Sequence, residues 1–156
     1  MNLIIGIGNI LLSDEGIGIH VLEELKKRNR ISNTEFVDLG TSSLDLEYFV
    51  REDTENMAVI DCIKAFEGKP GTIYKVSVED LKRRKSADYS LHQLEFIDSL
   101  NIISLLDKIP KTIIFGITPF DIKSFSLDLS EPLQEKLETI SDKVEEEILN
   151  FFNQNI

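Results

Sequence analysis

Short β-branched apolar runs alternate along the chain with longer stretches whose apolar positions recur every three or four residues. Residues 3–7 are apolar apart from Gly6 and predict a buried strand. Over residues 16–30, Ile17, Val21, Leu22 and Leu25 share one helix face and Glu23, Glu24, Lys26 and Lys27 the other. Residues 34–39 predict a second strand, 43–51 a short helix, and 57–60 a third strand closed by Asp61. Lys69-Pro70-Gly71 marks a tight turn before a fourth strand at 72–76, and this turn suggests that the third and fourth strands form an antiparallel hairpin. Residues 91–106 read as helix, and 112–117 as a fifth strand stopped by Pro119. Leu133, Leu137, Ile140, Val144 and Ile148 line one face of a last helix, entered through Ser130 as cap and Pro132 in the first turn.

Near-continuous apolar strands between helices predict an α/β fold. We expect a three-layer sandwich, with a twisted, mostly parallel five-stranded sheet flanked by helices on both faces, in one domain over residues 1–156. In such sheets ligands bind beyond the carboxyl ends of the strands, where the strand order reverses. That directs attention to residues 8–18, 39–43, 61–64 and 116–120.

Composition narrows the partners. The chain has 17 Lys and Arg against 28 Asp and Glu, a formal net charge of −11, which excludes a nucleic-acid grip through phosphates and disfavours an anionic membrane surface. The single cysteine, Cys62, allows no internal disulfide and no zinc-finger spacing; beside Asp61 on a strand it faces the opposite side as a small apolar residue. No apolar run reaches membrane-spanning length, and the start lacks the basic lead of a signal peptide, so the expectation is a soluble cytoplasmic protein.

The first strand-end loop opens with Gly6-Ile7-Gly8, a weak dinucleotide fingerprint. Leu11 occupies its third glycine position, and Asp14 and Glu15 stand where a pyrophosphate would meet the helix N-terminus, so the context contradicts it. Asp14 reads as a cap for its own helix. Glu15 differs because Asp61 ends the third strand, a usual neighbour of the first, so both carboxylates project into one crevice. Two carboxylates about 5 Å apart repel by roughly 3 kcal/mol at an effective dielectric near 20, a cost that a metal or a shared proton relieves. The alternative for Asp61 is a turn residue bonded to its own backbone. His20 lies about 140° around the helix from Glu15 and reads as a packing residue. His92, early in a later helix, is either a solvated histidine or a third donor; Glu, Asp and His together suit a borderline divalent metal with positions left open. A receiver domain also pairs acids after strand one with an Asp ending strand three. Here, however, residues 8–13 separate the acids from the strand, and Thr118-Pro119 replaces the lysine and proline that a receiver needs.

Gly6-x-Gly8-Asn9-x-Leu11-x-x-Asp14-Glu15-Gly16-x-Gly18, Asp61, Pro70-Gly71-Thr72, Ser90-x-His92 and Gly116-x-x-Pro119 together resemble the maturation endopeptidases of nickel–iron hydrogenases over essentially the whole chain. Asp38-Leu39-Gly40-Thr41 and Thr118 depart from the family's usual residues. The resemblance implies an endopeptidase that removes a C-terminal extension from the hydrogenase large-subunit precursor once nickel is inserted. It places the family's metal-contacting, catalytic positions on Glu15, Asp61 and His92. It further implies nickel supplied by the substrate rather than a tightly bound cofactor, with the precursor as partner and a monomeric enzyme. A non-proteolytic metal-sensing or chaperone-like binder on the same scaffold is the other reading, ahead of a receiver-like phosphoacceptor.

Overall fold

A computed structural model describes residues 1–64, 68–83, 91–105 and 109–154, without the side chains of residues 82, 91–95 and 103. Five strands form one sheet: β1 (Asn2–Ile7), β2 (Thr34–Gly40), β3 (Asn56–Cys62), β4 (Ile73–Val76) and β5 (Lys111–Ile117). Their order is β2-β1-β3-β5-β4, with β4 antiparallel and the other neighbours parallel. The helices are α1 (Ile17–Arg28), α2 (Val78–Arg83), α3 (Leu91–Ser104) and α4 (Glu131–Asn153). Among the described residues no helix is long and apolar enough to cross a membrane.

Alternation along each strand divides the core in two, because successive side chains leave opposite faces of the sheet. Ile4, Ala58, Ile60, Cys62, Phe115 and Ile117 pack with α1 and α4 through Val21, Leu25, Leu133, Val144 and Ile148. Leu3, Ile5, Ile7, Met57, Val59 and Ile114 face the other way, onto Leu46, Leu81, Phe96 and Leu100. Helices therefore cover both faces, as the apolar strands require.

Three local expectations change. The hairpin between the third and fourth strands does not form. β3 is already paired on both sides, by β1 and β5, so β4 has only the free edge of β5 to join. The turn itself is present: Thr72 N–H donates to the Lys69 carbonyl at 3.0 Å, and Gly71 takes φ +87°. The short helix expected at 43–51 is a 3-10 segment, Ser43–Tyr48. The expected helix at 16–30 is α1 preceded by a separate 3-10 turn, Ser13–Gly16, and it ends where Asn29 goes left-handed at φ +50°. Residues 106 and 90 of the expected motifs lie outside the described residues.

Candidate active site at the carboxyl edge

The chain leaves β1 for β2 on one side and returns to β3 on the other, so the strand order reverses between β1 and β3. The crevice at that reversal is the place where such sheets bind ligands. Glu15 stands in the 3-10 turn that follows β1, half-buried, and Asp61 is the penultimate residue of β3.

Two glycines bring these elements together. Gly18 opens α1 against the strand ends; a Cβ there would meet the Ile60 and Ile7 carbonyls at 2.3 and 2.5 Å, so no larger residue lets the helix sit this low. Gly8 has φ +148°, and a Cβ on it would lie 2.2 Å from the Glu15 carbonyl. The first loop thus folds tightly back over the end of β1 and carries Glu15 toward β3.

Asp61 is only 5% exposed. Burial of a carboxylate requires hydrogen-bonding partners, and one of its oxygens accepts the Cys62 backbone N–H at 2.7 Å. The turn-type bond expected of an ordinary strand-end aspartate is therefore present, but inside the strand. Asp61 also borders a space of about 20 Å³, room for roughly one water, whose other walls, including Val59, Ile63, Val76 and Phe96, are apolar. Cys62 faces the opposite side of the sheet, as alternation predicts. Burial pushes its thiol well above the usual range, and the negative charges of Asp61 and then Glu15 add to the rise. Glu15 follows β1 and Asp61 stands at the end of the neighbouring β3, so both residues lie at the carboxyl edge of the sheet.

His92 belongs to the first turn of α3, four residues before Phe96, but its side chain lies outside the described residues. Among the described residues no three His, Cys, Asp or Glu side chains are grouped to hold a metal ion. α3 itself is anchored near the edge by Ser99, whose hydroxyl donates to the Ser43 carbonyl at 2.8 Å.

Asp14 does not cap its own helix. It is fully buried, and its carboxylate accepts N–H groups from Phe120 (2.9 Å), Asp121 (2.7 Å) and Ser130 (2.8 Å), plus the Ser130 hydroxyl (2.7 Å). Ser130 does occupy the N-cap position of α4, but its hydroxyl makes no cap bond to that helix. Asp14 supplies negative charge there instead, where the α4 dipole favours it. Its physical role is to clamp the loop after β5 to the loop after β1. Nothing local in the sequence marks this, since the partners lie more than a hundred positions away.

His20, on α1, sits under the same loop. Its Nε2 is buried without a hydrogen-bond partner among the described residues. Burial lowers its pKa from the usual 6.5, outweighing the Leu127 carbonyl and the charges of Asp128 and Asp14, which favour the proton; Lys27 opposes it. The unfolded chain then takes up this proton at a higher pH than the folded one. Stability is unaffected above about 6.5 and falls as pH drops from there through the lowered folded value. Urea melts at a series of pH values should show this decline in the wild type and a shallower one in His20→Gln; parallel curves would remove His20 as its source.

Comparison with known proteins agrees with the architecture. The HycI family model, described as hydrogenase maturation protease, matches residues 19–147, a span that includes Asp61 and His92 and begins four residues after Glu15. Hydrogenase expression/formation protein HupD of Bradyrhizobium diazoefficiens is 31% identical over 138 residues, covering 86% of this chain and 71% of the relative. The hydrogenase maturating endopeptidase HybD from E. coli superposes with a TM-score of 0.78 at 26% identity, over 92% of this chain and 88% of that one. HybD from Thermococcus kodakarensis, a hydrogenase maturation protease, gives 0.76 at 25% identity over 93% and 97%. The chain, with its five-stranded sheet and two carboxylates at the β1–β3 reversal, belongs to the hydrogenase maturation protease family.

Proposed function

We propose that this endopeptidase cuts the C-terminal extension from a nickel–iron hydrogenase large-subunit precursor, and that Glu15, Asp61 and His92 grip the nickel which that precursor carries. The observation that supports the reading is that Glu15 and Asp61 stand at the ends of two neighbouring strands, at the edge where the strand order reverses. α3 brings His92 to within one helical turn of Phe96, a residue that shares the wall of the small space beside Asp61. Two carboxylate oxygens and an imidazole nitrogen suit a borderline divalent ion. Three donors leave positions for the precursor's own ligands or a water.

In this reading the ion belongs to the substrate. Docking through it sets the scissile peptide beside the crevice, where the ion polarises the carbonyl or a carboxylate activates water as a general base. Water adds to the carbonyl carbon, the C–N bond breaks, and the proton passes to the departing amine. A precursor without nickel lacks the contact that holds it, so cleavage reports on metal insertion.

The test compares nickel-loaded and nickel-free precursor from the same organism, incubated with the enzyme and weighed by mass spectrometry. Loss of the extension from the loaded form alone is expected. Equal cleavage of both forms overturns recognition through nickel, and binding without any cleavage favours the chaperone-like alternative.

A further inference from the structure

Most of the described core is closed, yet large apolar side chains are exposed in the two loops that Asp14 joins. Leu11 is 55% exposed, Phe125 89% and Leu127 61%. Ile10 and Phe120 flank them and are exposed as well. These residues do not sit on loose ends. Leu12 and Ser126 form a parallel bridge; Ser13 N–H donates to the Ser126 carbonyl and Ser126 N–H to the Leu11 carbonyl, both at 3.0 Å. Asp14 N–H donates to the Asp121 carbonyl at 2.9 Å.

The bridge brings the apolar groups together. With Leu12 opposite Ser126, Leu11 in one loop lies alongside the segment of the other in which Phe125 and Leu127 flank Ser126. The result is an apolar platform on a hydrogen-bonded backbone, held in place beside the candidate site. Presenting apolar groups in a fixed arrangement saves the ordering cost that a mobile loop would incur on binding. Exposed apolar clusters of this kind mark interaction surfaces.

We infer that this platform is the docking surface for an apolar segment of the large-subunit precursor, next to its cleavage point. The inference rests on the proposed function and adds to it a second contact, independent of nickel. Two features favour this occupant. Leu11 and Glu15 are four residues apart in one loop, so their Cα atoms are at most about 14 Å apart, well inside the footprint of one ordinary interface of roughly 800 Å² per partner. A second copy of this chain is disfavoured, because each copy carries a net charge of −11 and two such surfaces repel. A partner with apolar groups and basic or neutral flanks meets no such barrier.

The platform is tested with the double variant Phe125→Ser/Leu127→Ser, whose side chains are mostly in solvent and whose melting temperature should match the wild type. With nickel-loaded precursor, KM should rise by about tenfold or more while kcat stays within about threefold. Binding of wild type and variant to the same precursor, measured by sedimentation, should show the same loss. Unchanged KM and unchanged binding overturn the platform while leaving the proteolytic reading standing. Wild type that binds but does not cleave overturns the proteolytic reading, and the binding comparison still decides the platform. A wild-type dimer that the variant abolishes assigns the surface to a second copy and overturns the inference.

Discussion

Asp61→Asn should yield a folded protein that cleaves nickel-loaded precursor on the order of a hundredfold more slowly, or not at all. The substitution separates the two roles of this side chain. Asparagine has nearly the same volume and keeps an oxygen that can accept the Cys62 N–H, so the hydrogen bond at 2.7 Å inside β3 can persist. What it loses is the negative charge, and with it, on the proposed reading, the hold on the precursor's nickel, whose polarisation of the carbonyl is worth several kcal/mol in metal-assisted hydrolysis. Thermal unfolding should therefore change little while single-turnover cleavage collapses. Glu15→Gln and His92→Ala follow the same logic. A variant at Asp61 that cuts at the wild-type rate would reduce this residue to its backbone bond and remove it from the chemistry.

The parts of the molecule that bury a face were legible from the sequence. β1, β3 and β5 are written as apolar runs because both sides of each strand are covered, and α1 and α4 carry stripes that pack against one side of the sheet. Both carboxylates could be assigned to the carboxyl edge because sheet topology alone directs the strand ends there. The pairing of β4 was not legible: a turn at Pro70-Gly71 announces a reversal of direction but not which neighbour has a free edge. The 3-10 segment at Ser43–Tyr48 and the six-residue α2 also escape, since neither is long enough for its apolar spacing to distinguish helix types.

Function was legible for a related reason. The glycines of the first loop are demanded by close backbone contact, as at Gly18 against the Ile60 carbonyl, so the loop cannot vary without moving Glu15. The platform of Leu11, Phe125 and Leu127 lay outside sequence reasoning, because its two halves are brought together by contacts between positions far apart in the chain, such as the Leu12–Ser126 bridge. The same is true of Asp14: an acid ahead of a helix reads as a cap, and only the fold reveals which helix it serves.

Asp14→Ala should be the most damaging single change to stability at this edge, costing roughly 3–5 kcal/mol. The carboxylate is fully buried and accepts four hydrogen bonds, three from backbone N–H groups and one from the Ser130 hydroxyl. Removing it leaves those part-buried donors without a charged acceptor and withdraws the negative charge from the N-terminus of α4. Asp14→Asn should be damaging too, since one of its two terminal atoms becomes a donor facing other donors. For a chain of this size the expected loss lowers the melting temperature by about 10 °C or more. Cleavage should fall as well, even below the new melting point, because the loop after β5 is then no longer fixed to the loop that carries Leu11 and Glu15. A melting temperature within about 2 °C of the wild type would mean that the other cross-loop bonds, from Ser13 and Ser126, suffice to hold the edge together.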